Sequence, residues 1–256
     1  MILDDSEKKI SYFNKIGIHY EAVYHYVIRR RKETSVIYDL DFLDDITAGL
    51  IVFDMQRMMA NKKAKETKKY KAEGTSAWAL RLNKKLQKHR SDLVMLQQKK
   101  LTEADLDDAS LKSQIIRVFD CLAKSGSDGL NLRKPSENFA VGASKILHFL
   151  IPDFFIILDS NSRQELAKHH EGEFFKSTKV NGDLYLKAMC LYQKELNEWK
   201  IQQHDDNNFN KGGSQLAPPT ERQHPIIYGY FWQIAYLPFM KDLSCNSKVL
   251  HIIWRS

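Results

Sequence analysis

Apolar residues recur along most of this chain at intervals of three and four, the spacing that lines one face of an α-helix. Between Lys8 and Arg31, the positions Tyr12, Phe13, Ile16, Tyr20, Val23, Tyr24 and Val27 predict a helix, a turn and a second helix. Asp39–Met59 carries another such face in Leu40, Leu43, Ile46, Leu50, Phe53 and Met58. Ser76 is placed to cap a helix through Trp78, Leu82 and Leu86, and Thr102, opening the run Thr-Glu-Ala-Asp, suits the start of the next. Ile115, Ile116, Val118, Phe119 and Leu122 then supply a buried face, which the glycine-bearing run Ser125–Gly129 stops. Leu184–Trp199 reads as a longer amphipathic helix. Strand-like runs are short and isolated, so the pattern predicts an all-α, α-dominated fold.

The polar stretches divide the helices without dividing the chain into separate domains. Residues 60–76 have almost no apolar content and read as an exposed loop or linker. Residues 204–224, rich in Asn, Gly and Pro, read as a flexible loop. The aromatic-rich tail Ile226–Trp254 is expected to pack back on a single domain spanning residues 1–256. At 256 residues the chain can bury a proper core, and 43% hydrophobic with 28% charged residues is the mix of a folded protein. The longest apolar run, Ile146–Leu158, is interrupted by His148, Pro152 and Asp153, which predicts no membrane span. Asp4 and Asp5 follow two apolar residues where a signal peptide would be basic and then apolar, so the expected location is cytoplasmic. Cys121, Cys190 and Cys245 form neither a disulfide framework nor a zinc motif, and His169-His170 lack partners at ligand spacing. No metal and no cofactor is expected.

A formal charge of +7 favours polyanions, and it is concentrated in runs. These are Arg29–Lys32, the lysines between Lys62 and Lys71, and the stretch from Arg81 to Arg90. Each run alone reads as a solvated helix face or loop; three within the first 90 residues suggest nucleic acid.

The stretch that carries chemistry is Val141–Arg163, VGASKILHFLIPDFFIILDSNSR. A short apolar helix, Val141–Leu150, is broken at Ile151-Pro152-Asp153 because proline cannot continue its hydrogen-bond ladder. Phe154–Leu158 follows as an extended run, and Asp159-Ser160 opens a new helix through Leu166. Lys145 and Asp159 thereby reach one cleft. The apolar neighbours Val141, Ile146 and Leu147 favour the neutral amine that a lysine nucleophile requires. A nearby carboxylate can move protons or stabilise positive charge. The plainer reading of the same residues is a helix cap and a solvated lysine.

The stretch resembles the catalytic segment of helix-hairpin-helix DNA glycosylases, in particular the 8-oxoguanine glycosylases and 8-oxoguanine-glycosylase-like bacterial proteins. Val141-Gly142 and Lys145 match the helix start, Ile156–Leu158 and Asp159-Ser160 the carboxylate end, and Phe53-Asp54-Met55 an upstream helix. The likeness covers about 25 residues and is to a divergent form. Asn138–Gly142 stands where a Leu-Pro-Gly-x-Gly hairpin would offer backbone N–H groups to phosphate, and the lysine–aspartate interval is shorter than usual. The resemblance implies a helical glycosylase-like domain whose partner is DNA, with Lys145 as Schiff-base nucleophile and Asp159 as its carboxylate. Gly142, Ser144 and Arg163 would contact DNA.

Arg133 and Lys134, after a glycine-bearing loop, are further candidates for backbone contact. His148 and Trp232 are candidates for a base pocket, although both residue types at these positions are more often core. Three functions are compatible with these residues. They are a DNA glycosylase or lyase acting on a damaged or modified base, in repair or phage defence; a catalytically inactive DNA- or protein-binding module of the same fold; and a Schiff-base enzyme for a small carbonyl compound.

Overall fold

A computed structural model describes residues 23–24, 26–34, 36–51, 70–126, 128–132, 134, 136–159, 162–163, 166 and 180–209. Its regular elements are α1 (Leu40–Leu50), α2 (Tyr70–Gln87), α3 (Arg90–Leu96), α4 (Ala109–Ala123), α5 (Ala140–Leu150) and α6 (Gly182–Phe209), preceded by a helical stretch at residues 26–33. No strand occurs among the described residues, so the fold is all-α as the periodicity predicts. No helix among them is long and apolar enough to cross a membrane.

The order of burial follows the sequence pattern closely. Asp39 caps α1 by accepting the Phe42 N–H at 3.0 Å, and the helix buries Phe42, Leu43, Ile46 and Leu50 while leaving Leu40 exposed. Such a cap stabilises by about 1 kcal/mol. Phe53–Met55, Arg57 and Met58 lie outside the described residues. Trp78, Leu82 and Leu86 form the buried stripe of α2, which packs against α1 and α4. Helix α4 is the centre of the bundle, touching α2, α3, α5 and α6. It turns Ile115, Val118, Phe119 and Leu122 inward.

Three boundaries depart from the expectation. Helix α2 begins at Tyr70, so Ser76 lies inside it and residues 70–76 are not loop. Alanine, lysine and glutamate favour helix without an apolar face, and periodicity alone does not register them. The start of α4 is at Asp108, whose carboxylate accepts the Leu111 N–H at 2.7 Å, while Leu101–Ala104 forms turns. Both sites offer a capping oxygen; at Asp108 the apolar stripe begins at once. Finally, α6 continues through residues 204–209, because a helix once nucleated extends at little cost even through polar residues.

Glycines fix two of the junctions. After α4 the chain leaves the helix at Lys124 and turns at Gly126, whose φ of 123° is a conformation side chains rarely adopt. At Gly182 a Cβ would stand 2.8 Å from the Ile116 Cα, so only glycine lets the start of α6 approach α4 this closely. Asp120 of α4 then accepts the Gly182 N–H at 2.7 Å, and Phe119 stacks on Tyr185 with ring centroids 4.2 Å apart.

Candidate functional site

The hairpin between Ala140 and Asp159 follows the expected order of helix α5 and a break, with a turn at residues 151–154; Phe154, expected in an extended run, belongs to that turn, and residues 155–159 form no regular element. Backbone buried outside helix or sheet must find other partners for its polar groups. Side chains provide them. Ser144, fully buried, accepts the Leu158 N–H at 3.0 Å and donates to the Val141 carbonyl at 2.9 Å. His148 bonds the Phe155 carbonyl at 2.7 Å, and the Tyr185 hydroxyl donates to the Ile156 carbonyl at 2.7 Å. At the far end of α5, the half-buried Arg31 donates through Nε to the Leu150 carbonyl at 2.7 Å, satisfying a terminal acceptor.

The bond between Ser144 and Leu158 sets the register of the hairpin. Lys145 and Asp159 are the next residues along their respective segments, so the two come to the same end of the hairpin, and both are half-buried. Asp159 opens a helical turn: its Oδ1 accepts the Ser162 N–H at 2.9 Å and the Ser162 hydroxyl at 3.0 Å, and its carbonyl accepts the Arg163 N–H at 3.1 Å. Ser162 and Leu166 bury the inner side of that turn, and Arg163 is half-buried. The aspartate is therefore fixed in place by its capping role, a geometry that also suits a catalytic carboxylate.

The remaining predicted residues are dispersed. Gly142 is buried, and a Cβ there would fall 2.1 Å from the Phe139 ring, so its glycine identity serves that packing. Ser144 spends its hydroxyl inside the hairpin. His148 belongs to the core: Nδ1 faces a carbonyl and must carry the proton, which leaves Nε2 to accept the Tyr24 hydroxyl at 2.9 Å. Burial lowers its pKa to about 4, so it is neutral at ordinary pH. Lys134 is exposed and pairs with Glu137 at 2.8 Å. Arg133, Trp232, Tyr230, Phe231, Tyr236 and His169-His170 lie outside the described residues. Among the described residues, no group of three His, Cys, Asp or Glu side chains is arranged to hold a metal.

A cleft of about 630 Å³ elsewhere in the fold does not follow from the sequence reading. It lies where α2 and α4 meet the start of α6, and Lys85, Lys88 and Lys124 line it together with Asp120 and Asp128. Lys85 is only 4% exposed and donates to the Cys121 carbonyl at 2.9 Å, closing the C-terminal end of α4. One signal was available. Lys85 continues the spacing of Trp78 and Leu82, which puts a lysine on the buried stripe of α2.

Comparison with protein-family models, with curated proteins and with solved structures returns no match.

Proposed function

We propose that this chain is a DNA glycosylase/lyase-like enzyme that excises a damaged or modified base through a Schiff base on Lys145. The observation that carries the reading is the Ser144–Leu158 bond, which ties the segment before Asp159 to helix α5 beside Lys145. Flipping the target base out of the stack costs a few kcal/mol, roughly, and exposes the sugar. The neutral Lys145 amine attacks C1′ of the deoxyribose; the glycosidic bond breaks and the base leaves with its electron pair, taking a proton. Opening of the sugar ring and loss of the amine proton give the imine. Asp159 stabilises the positive charge that develops on the sugar and carries protons between steps. Elimination from the imine, with loss of a C2′ proton and departure of the 3′ phosphate, nicks the strand.

A second reading, a binding module of the same fold without catalysis, has a specific observation in its favour. Gly142 and Ser144, which the resemblance assigns to DNA, are both buried in contacts with their own hairpin. Borohydride trapping on duplexes carrying 8-oxoguanine, uracil, an abasic site or modified bases separates the two. A covalent complex that disappears in Lys145→Gln, while that variant still binds DNA, supports the enzyme. Salt-sensitive DNA binding without trapping on any duplex supports the module instead.

A further inference from the structure

We propose that the cleft between α2, α4 and the start of α6 is a phosphate-binding site, with Lys85 at its base and Lys88 and Lys124 at its rim. It is independent of Lys145, which does not line it.

The argument begins with an imbalance of charge. A lysine buried this deeply normally stands against a carboxylate, because an ammonium removed from water is costly unless paired. Lys85 has a neutral carbonyl for its hydrogen bond and meets a carboxylate only at 3.9 Å, from Asp128, a side chain 54% exposed. Two more ammonium groups, Lys88 and Lys124, lie close enough to repel it. Burial lowers the pKa of Lys85; Cys121 and Asp128 oppose the shift by attraction, and the repulsion of Lys88 and Lys124 adds a smaller part to it.

The acidic residues nearby do not cancel the excess. Asp120 accepts the Gly182 N–H at the start of α6 and keeps its charge, so two carboxylates, Asp120 and Asp128, stand against the three ammoniums. Asp128 is drawn to the lysines, Lys85 foremost, and its pKa is lowered by them. Arg117 contributes further positive charge but is held by Asp92 at 2.9 Å. Lys88 and Lys124 are exposed on the cleft wall. An anion with several oxygens would bridge these two ammoniums and offset the remaining excess of positive charge beside Lys85.

The size and lining narrow the ligand class. About 630 Å³ is ample for a phosphate group with the sugar that carries it, and it falls in the range of small-ligand sites, roughly 300–1,000 Å³. Ile116, Ala123 and Val180 provide apolar wall against which a sugar can lie, and Asn138 and Asn181 provide polar edges. The ligand is thus a phosphate ester or diphosphate, either free in solution or as part of a nucleic-acid strand.

The test is direct titration of the full chain with inorganic pyrophosphate and, separately, with a fluorescent decathymidylate strand. In Lys88→Ala/Lys124→Ala, loss of two charge-assisted contacts is expected to weaken binding at least about tenfold. Both sites are exposed, so the variant should fold; matching circular dichroism and urea midpoints check this. A charge-matched control, Lys99→Ala/Lys194→Ala, should stay within about twofold of the unaltered chain, since its lysines lie elsewhere. Pyrophosphate binding lost in the cleft variant identifies a free phosphate ligand; strand binding alone, lost in the same variant, identifies backbone phosphate. The proposal is overturned if neither probe binds at millimolar concentration, if the cleft variant binds as the unaltered chain does, or if the control weakens binding equally.

Discussion

Lys145 and Lys85 each stand in a helix near an aspartate, but the surroundings are opposite. Around Lys145 the hairpin is knit by neutral hydrogen bonds from Ser144, His148 and Tyr185, and the carboxylate of Asp159 is fixed by Ser162. Around Lys85 the positions are set by packing, while the charges are unequal: three ammoniums against two carboxylates, of which Asp128 comes to 3.9 Å from Lys85. The first arrangement fixes the carboxylate of Asp159 at the end of the hairpin where Lys145 stands, the pairing that the proposed proton transfer and nucleophilic attack call for. The second leaves positive charge in excess, which is what an anion site requires. Lysine chemistry is therefore decided by what the rest of the neighbourhood has already satisfied.

The largest expected effect comes from separating the two jobs of Asp159. Asparagine keeps a side-chain oxygen for the Ser162 N–H, so Asp159→Asn should retain the cap and change stability by less than about 1 kcal/mol. It removes the charge that the proposed reaction needs. Single-turnover kinetics, on whichever duplex the chain traps, should therefore fall on the order of 10²–10⁴-fold. Unchanged turnover with unchanged stability would make Asp159 a cap and nothing more, and the contrast between the two lysines would lose its chemical half.

The neutral network behind Lys145 can be tested by pH. With a pKa of about 4 against an ordinary value near 6.5, His148 resists protonation in the folded chain more than in the unfolded one. The sign follows from linkage: above pH 6.5 both states are neutral and nothing is lost. As pH falls from 6.5 towards 4 the unfolded state takes up the proton first, and stability declines by about 3 kcal/mol. Urea unfolding across this range gives the decline, to which carboxylates also contribute, and NMR titration of the imidazole gives its own midpoint. A midpoint near 6.5 would mean that the histidine is hydrated, and that the hairpin is looser than its hydrogen bonds describe.

The two regions were not equally legible in the sequence. The hairpin could be read because each of its steps is local: the apolar run of α5, the Pro152 break, and an aspartate followed by a serine at the next helix start. The function of Ser144 and His148 as ties to Leu158 and Phe155 was not legible, since those bonds depend on how the chain folds back. The cleft was harder still. Its lysines come from α2, from the turn after it and from the turn after α4, and their proximity depends on the packing of the two helices. Counted along the chain, Lys84, Lys85 and Lys88 look like one solvated run; in the fold Lys84 is exposed and Lys85 is buried. The starts of α2 and α4 were misplaced for a related reason. Helix propensity, which leaves no mark in apolar spacing, set one; the other was a choice between two capping oxygens, decided by the apolar stripe that begins directly after Asp108.

The smallest expected change is in stability, on replacing Lys85 by methionine, and the balance of terms makes it informative. The substitution removes the donor to the Cys121 carbonyl, a helix-end contact contributing about 1 kcal/mol. It also removes an ammonium whose burial is a cost at neutral pH, because its folded pKa lies below the ordinary value of 10.5 and the unfolded chain holds the proton more tightly. Methionine is close in length, apolar and flexible, so it can fill the same space beside Cys121 without opening a cavity. The two contributions oppose each other, and the urea-derived stability of Lys85→Met should stay within about 1 kcal/mol of the unaltered chain. A loss above about 2 kcal/mol would show instead that the ammonium is well compensated in the fold. The charge imbalance that distinguishes this lysine from Lys145, and that calls for an anion, would then not exist.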